Sequence, residues 1–338
     1  MRVLLTSILC HTGMATHVQD LVNYLQQKGV FVAVAFKRVN FLAEQAERQL
    51  LSKLGGAPYL LYDTTDELLG FVVENKCGLI HGHSYATFET ATKVSQELQT
   101  PLVVTLHSVF PWERFFHETL LTASGIIAVG PAQASSAKNF ASKMVIIPNG
   151  IDTKAFVPSF ETDSEDGAFR VLWYGRGDGR LSKGLHTLDG MAPLLPKQIK
   201  ITALGSADFA PRNIPMLPWS DDPLPFLQQA HITFGHSRSL REAMAAGSVG
   251  MLLGYGYGGM ITREWLQAGR AVDAFREYRL PRPQTRRILH DIMELVNGGK
   301  LAEFRQEARR LAEQYFDIED MGRRTLNFYE SHYRDGEG

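Results

Sequence analysis

The chain is poor in cysteine, with only Cys10 and Cys77 among 338 residues. Two cysteines cannot build a disulfide framework, and both lie in apolar, strand-like contexts, so buried free thiols in a reducing compartment are expected. A dominant charge is missing as well: 35 Lys/Arg face 36 Asp/Glu, for a formal net charge of −1. That balance holds in both halves of the chain and argues against a nucleic-acid carrier or a polybasic membrane binder. Long apolar runs are also absent, and nothing approaches the ~20 residues that cross a bilayer. The opening MRVLLTSILC has an apolar run only from Val3 to Cys10, and Leu9 stands where a lipoprotein cleavage site needs a small residue. It reads as a first buried strand rather than a leader. A cytoplasmic protein with no transmembrane segment and no nucleic-acid partner is the expectation.

What is present is an ordinary globular composition, 44% apolar and 21% charged. The length suits about two domains of roughly 100–200 residues. Apolar runs alternate with amphipathic segments: strands are expected at 3–9, 30–36, 78–81, 102–106, 125–129 and 144–147. Helices are expected after Thr16, whose spacing to Gln19 fits a capping box, and over 86–98, 120–123 and 132–140. A polar, acidic stretch, 161–167, breaks the pattern and suggests a linker or an exposed turn. The alternation then resumes with strands at 170–174, 199–204, 232–234 and 250–253, and a helix at 240–246. Three helices close the chain at 285–296, 301–315 and 321–333. Strands alternating with helices make parallel, doubly wound sheets. The expected division is an N-terminal Rossmann-like domain over 1–160, a second over 161–317, and a tail helix within 318–338. In such sheets ligands bind outside the carboxyl ends of the strands, so two facing domains would hold two substrates across a cleft.

Four segments carry candidate chemistry. His11-Thr-Gly-Met-Ala-Thr16 joins the first strand to a helix, where Gly13 either lets backbone N–H groups approach a phosphate or makes a plain tight turn. Tyr174-Gly-Arg-Gly-Asp-Gly-Arg-Leu-Ser-Lys-Gly184 also joins a strand to a helix. Gly175 and Gly177 resemble a dinucleotide fingerprint, but its third glycine would fall at Arg180. The loop offers Arg176 and Lys183 instead, a guanidinium fork and a point charge that suit a diphosphate unless they form only a basic surface loop. In Phe234-Gly-His-Ser-Arg-Ser-Leu-Arg-Glu-Ala-Met-Ala-Ala-Gly247, the helix start at 235–238 offers N–H groups to sugar hydroxyls or phosphate. Glu242 either accepts ribose hydroxyls, since a carboxylate only accepts, or pairs with Arg238 on a solvated face. His81, His83 and His107 lie at strand ends. No nearby residue gives them metal-ligand spacing, so no metal site is expected. The chain also has no Asp-x-Asp, the usual carboxylate clamp for a metal on a nucleotide diphosphate.

Together these segments resemble the retaining glycosyltransferases of family 4, which have the GT-B fold. Ile146-Ile-Pro-Asn-Gly-Ile-Asp-Thr-Lys-Ala-Phe156 is similar to that family's "IPNGVD…F", and Ala123-Ser-Gly-Ile-Ile-Ala-Val129 to the strand before it. Val171-Leu-Trp-Tyr-Gly-Arg176 through Lys183-Gly184 resembles "vGRl…KG", with a slightly longer spacing, and Glu242-Ala-Met-Ala-Ala-Gly247 matches "EAMA.G". The resemblance implies α/β GT-B architecture and hexosyl transfer, with retention and without a metal, from a nucleotide-diphosphate sugar, UDP-linked first and GDP-linked second. No cofactor is implied. Arg176 and Lys183 would hold the diphosphate, Glu242 the ribose, and Gly13 would approach the diphosphate. His107 would contact the transferred sugar, and Trp219 lies in the segment near the base. The tail helix would cross back to the first domain. One departure stands out: the family's second glutamate, eight residues before Glu242, is Phe234 here. The string Gly235-His-Ser-Arg-Ser239 instead resembles a family subset with "G.GRS", in which Gly235, Ser237, Arg238 and Ser239 would take the sugar. The acceptor is a sugar, a lipid-linked glycan or a small molecule. The aromatic run Phe110–Phe116 either shapes its pocket or packs in the core. The alternatives are a non-catalytic nucleotide- or sugar-binding protein of the same fold, and a nucleotide-sugar epimerase.

Overall fold

A computed structural model describes residues 1–10, 13–39, 44–159, 167–217, 220 and 222–333. The segment 161–166 expected to form a linker therefore lies outside the described residues, as does Trp219. The chain divides into two compact units: 1–150 together with 318–338, and 151–317.

The first unit holds a seven-stranded parallel sheet of β1 (Arg2–Ile8), β2 (Phe31–Lys37), β3 (Tyr59–Tyr62), β4 (Leu79–Gly82), β5 (Leu102–Leu106), β6 (Gly125–Ala128) and β7 (Met144–Ile146), in the order 3-2-1-4-5-6-7. Successive side chains of a strand point to opposite faces, and here both faces are covered. Val3 and Leu5 of β1 join one core with Val32, Val34 and Phe36 of β2, while Leu4 joins a second core with Ala33 and Ala35. That double burial explains why these strands read as unbroken apolar runs. The helix Ile318–Glu330 belongs to this unit, placing Met321 and Tyr329 in the first core. Gly322 lets it lie close to the first helix, because a Cβ there would meet the Tyr24 ring at 2.4 Å. Cys10 and Cys77 are both buried and free, and burial pushes the Cys77 thiol up to about 12.

The second unit holds six strands: β8 (Phe169–Gly177), β9 (Ile199–Ala207), β10 (Met216–Leu217), β11 (Ile232–Gly235), β12 (Val249–Leu253) and β13 (Tyr257–Met260), in the order 10-9-8-11-12-13. All pairs are parallel except β12 with β13. Two sequence motifs have structural work within this unit. Gly247, at φ +82°, ends the helix Ser237–Ala245 in the left-handed conformation that favours glycine. The Arg309 guanidinium donates to the carbonyls of Thr153, Phe156 and Ala245, tying the Ile151–Phe156 segment to the end of that helix.

Some local expectations are corrected. The first helix runs from Gly13 to Gln27, so Thr16 and Gln19 lie inside it and form no capping box; Gln19 instead donates to the Leu50 carbonyl at 2.9 Å. A capping box is formed instead by Thr64 with Glu67, ahead of the helix Thr65–Glu74. The single helix expected over 132–140 is a short helix, Pro131–Ser135, followed by a 3-10 segment, Lys138–Lys143. Ser136 interrupts it, its hydroxyl donating back to the Gln133 carbonyl at 2.6 Å in competition with the helical backbone.

Candidate functional site

In the second unit the strand order reverses between β8 and β11, and the crevice at such a reversal is where open α/β sheets bind ligands. Its floor is glycine. Gly175 and Gly205 are register partners on β8 and β9, and a Cβ on Gly205 would fall 2.1 Å from the Gly175 carbonyl oxygen. On β11, a Cβ on Gly235 would fall 2.7 Å from the Tyr174 carbonyl oxygen. Gly205 also has φ +138°, where side chains are strained. The residue carries no signal in the sequence, since neither the contact nor the dihedral is periodic. Gly205→Ala is expected to cost about 3 kcal/mol from strain and overpacking together. Gly70→Ala, with open space around the new methyl, serves as the control. Urea midpoints check the difference; equal midpoints would show that the strand ends can part without cost.

The helix Ser237–Ala245 rises from this floor. Ser237 takes φ +55°, rare for a residue with a side chain, and is held there by three contacts. Its N–H donates to the Val272 carbonyl at 2.6 Å, its hydroxyl donates to the Asp273 carboxylate, and His236 Nδ1 lies 3.0 Å from the same hydroxyl. Of the N–H groups expected to face a ligand at 235–238, that of Ser237 is therefore used internally. Ser239 donates its hydroxyl to the His236 carbonyl at 2.8 Å.

Glu242 is 6% exposed, so the alternative of a pair with Arg238 holds as a pair but not on a solvated face. Its Oε1 accepts from Arg238 Nε at 2.6 Å and its Oε2 from the Tyr174 hydroxyl at 2.8 Å. Burial, reinforced by the carboxylate, pushes the Tyr174 hydroxyl far above its ordinary range, so it stays a donor. These two donors fix the direction in which the carboxylate points. Phe234, in the place of the family's second glutamate, is wholly buried in the core of the sheet.

The two predicted cations, expected on one loop, lie instead on the elements that flank it: β8 continues to Gly177 and carries Arg176, and Lys183 stands in the first turn of the helix Ser182–Met191. Arg176 is exposed and grips Asp178, with Nε to Oδ1 at 3.2 Å and Nη2 to Oδ2 at 3.1 Å. Lys183 Nζ sits 4.1 Å from the centre of the Tyr255 ring, a cation–π contact. With His186, Thr187, Arg282 and Pro283 it lines an open pocket of about 310 Å³. Arg282, which sequence reasoning missed, adds a second cation to that pocket from a stretch without periodicity or motif.

His236 gives this region a pH response. Burial lowers its imidazole to about 4; Asp273 and Asp178 oppose the shift, while Arg176 and Arg241 reinforce it. An unfolded histidine titrates near 6.5, so between those values the unfolded chain binds the extra proton. The stability contributed by neutral His236 is complete above about pH 6.5 and is lost as pH falls toward 4. Urea titrations at pH 7, 6 and 5 should show a shallower loss for His236→Gln than for the wild type. Parallel curves would show that His236 is not a source of the pH dependence.

In the first unit the order reverses between β1 and β4. Around that point lie four histidines. His81 is locked, Nδ1 against the Tyr329 hydroxyl and Nε2 2.7 Å from the Thr105 hydroxyl. His83, just past β4, places Nδ1 3.3 Å from Nε2 of His107, which follows β5. Burial holds His81 and His83 well below the usual imidazole range and lowers His107 to about 4, so all three are neutral near pH 7. The fourth, His17, comes from the first helix, its ring centre 5.2 Å from that of His83 and 4.8 Å from that of His107. The histidines were expected to lack a partner with ligand geometry. His17 supplies one from 66 residues before His83, a long-range contact that spacing cannot reveal. Gly13 opens the same helix, with nothing within 4 Å of a Cβ placed there. The aromatic run packs mainly in the core: Trp112 is buried and donates to the Ser108 carbonyl at 3.0 Å, while Phe115 is exposed.

Residues 11–155 match the model of a family described as Glycosyltransferase Family 4. The resemblance read from the motifs therefore holds, although Arg176, Lys183 and Glu242 lie beyond the matched stretch. No curated protein sequence matches the chain. Among solved structures, Anabaena Alr3699/HepE in complex with UDP and glucose is similar with a TM-score of 0.71 at 17% identity, covering 98% of this chain and 100% of that one. A glycosyltransferase from Rickettsia africae gives 0.74 at 12%, covering 98% of each chain. Sucrose-phosphate synthase from Thermosynechococcus elongatus gives 0.70 at 14%, again covering 98% of each. At these identities the likeness is one of fold. The protein has the GT-B fold, with two Rossmann-like sheets. No helix among the described residues is long and apolar enough to cross a membrane.

Proposed function

We propose that this protein transfers a hexosyl group from a nucleotide-diphosphate sugar to an acceptor hydroxyl, with retention at the anomeric carbon and with no metal on the diphosphate. The observation that carries the proposal is the crevice between β8 and β11. There a glycine floor, Arg176 near the end of β8, Lys183 in the first turn of the helix Ser182–Met191 and an anchored carboxylate on the helix Ser237–Ala245 stand around one sheet. Arg176 and Lys183 neutralise the charge that grows on the leaving diphosphate, and Glu242, aimed by Tyr174 and Arg238, accepts the ribose hydroxyls. Gly235, Ser239 and the start of the helix approach the sugar. The roles implied for Gly13 and His107, at the diphosphate and the transferred sugar, belong to the same proposal, as does a base-side role for Trp219.

In the reaction the bond from the anomeric carbon to the diphosphate oxygen breaks, and the acceptor oxygen bonds to that carbon. The acceptor's proton leaves on the nucleoside diphosphate. Preorganised cations at the leaving oxygen act in the transition state more than in the ground state, which is what accelerates the step. A uridine nucleotide is the first choice, supported by the UDP and glucose bound in the Anabaena structure. A cytoplasmic setting and a sugar, lipid-linked or small-molecule acceptor complete the proposal.

The test is incubation with UDP- and GDP-sugars across an acceptor panel, followed by NMR of the anomeric proton. One nucleoside diphosphate released per glycosylated acceptor, with the donor's anomeric configuration kept, is the expected result. Conversion of the donor sugar without an acceptor would make the protein an epimerase. Nucleotide binding without turnover on any acceptor would make it a binding module.

A further inference from the structure

We propose that His17, His83 and His107 form a binding site for one divalent transition-metal ion of the zinc class; it shares His107 with the nucleotide-sugar reading, taking the Nε2 of that ring and leaving its Nδ1 for the sugar. Each offers one ring nitrogen, and the three nitrogens lie within 4.8 Å of one another. They come from three separate elements: His17 from the helix Gly13–Gln27, His83 from just past β4, and His107 from just past β5. Zinc–nitrogen bonds of about 2.0–2.1 Å in a tetrahedron place neighbouring ligand atoms roughly 3.3 Å apart. The Nδ1 of His83 and the Nε2 of His107 already stand at 3.3 Å. That separation is long for a hydrogen bond between nitrogens but right for one edge of the coordination shell.

One further observation, beside His83, favours an ion over simple packing of rings. Beside it, His81 spends both nitrogens on Tyr329 and Thr105, so it cannot join the shell. Its ring lies 3.9 Å from that of His83, centre to centre, and buttresses it. Three imidazoles without a carboxylate select zinc, copper or nickel over magnesium or calcium, which prefer oxygen. Three protein ligands also leave a fourth position open to water or a substrate atom.

The trio His290, Asp291 and Glu294, exposed except for the half-buried Asp291, is the competing site among the described residues. The experiment uses full-length protein, freed of any affinity tag and stripped with a chelator. Zn²⁺ binding is measured by calorimetry, and Co²⁺ is added as a spectroscopic probe. The expected result is one ion per chain, visible Co²⁺ bands of tetrahedral intensity, and an X-ray absorption shell containing three imidazole nitrogens. His17→Gln and His83→Gln should each weaken Zn²⁺ binding by more than the ~10–100-fold that loss of an outer partner costs. His290→Ala should leave it unchanged. No binding by the wild type, a shell dominated by oxygen, or loss of binding in His290→Ala would overturn the assignment. The absorption spectrum of the wild type decides the matter even if a histidine variant fails to fold.

Discussion

Arg176→Ala and Lys183→Ala are each expected to lower sugar transfer by about 10²–10³-fold, the usual cost of losing one donor aimed at developing charge. Neither side chain supports the fold. Both are exposed, and their contacts are local: Arg176 with Asp178 two residues on, and Lys183 over the Tyr255 ring. Surface changes of this kind usually shift stability by no more than about 0.5 kcal/mol. The variants should therefore unfold at the wild-type urea concentration while losing turnover. Asp178 sharpens the expectation, because it holds the guanidinium at the end of β8 and a diphosphate must compete for it. Near-normal transfer by both variants would remove the diphosphate clamp from the proposed mechanism.

Glu242→Ala is expected to act differently, lowering stability as well as nucleotide affinity. The change strips Arg238 of its buried carboxylate and the Tyr174 hydroxyl of its acceptor. Breaking a buried ion pair by removing one partner costs about 3–5 kcal/mol, and the partial exposure of Arg238 places this case near the lower end. Glu242→Gln keeps an acceptor for Tyr174 and should recover much of the stability, while still weakening recognition that needs a charged acceptor. Urea unfolding of the two variants beside a nucleotide titration separates the effects. A Glu242→Ala protein as stable as the wild type would show that the pair is not a structural tie.

Much of this architecture was legible because its strands are buried on both faces. β5 was expected over the residues it occupies, 102–106, since an uninterrupted apolar run is what double burial demands. β3 went unread for the opposite reason: at Tyr59–Tyr62 it is a short edge strand, and only Tyr62 is fully buried. The helix Glu44–Ser52 buries only Leu50 and shows little apolar stripe. Site residues followed the same logic. Arg176, Lys183 and Glu242 stand out because each lies at a strand end or in a helix among glycines and small residues, a composition that betrays it. Tyr174, 68 residues from the carboxylate it orients, looks like one more strand residue. Arg282 and His17 acquire neighbours only when the chain folds, and no spacing rule reaches across such distances.

The central claim is that the crevice after β8 binds a sugar-carrier nucleotide through Arg176. Thermal unfolding with UDP, GDP, ADP, dTDP and NAD, without added metal, tests it most directly on the wild type and on Arg176→Ala. At about 100 times its dissociation constant a ligand adds roughly 2.7 kcal/mol to the folded state. The prediction is a clear rise in the wild-type midpoint with one sugar-carrier nucleotide, UDP first, and loss of that rise in the variant. No rise with any sugar-carrier nucleotide, or a rise with NAD alone, would contradict it.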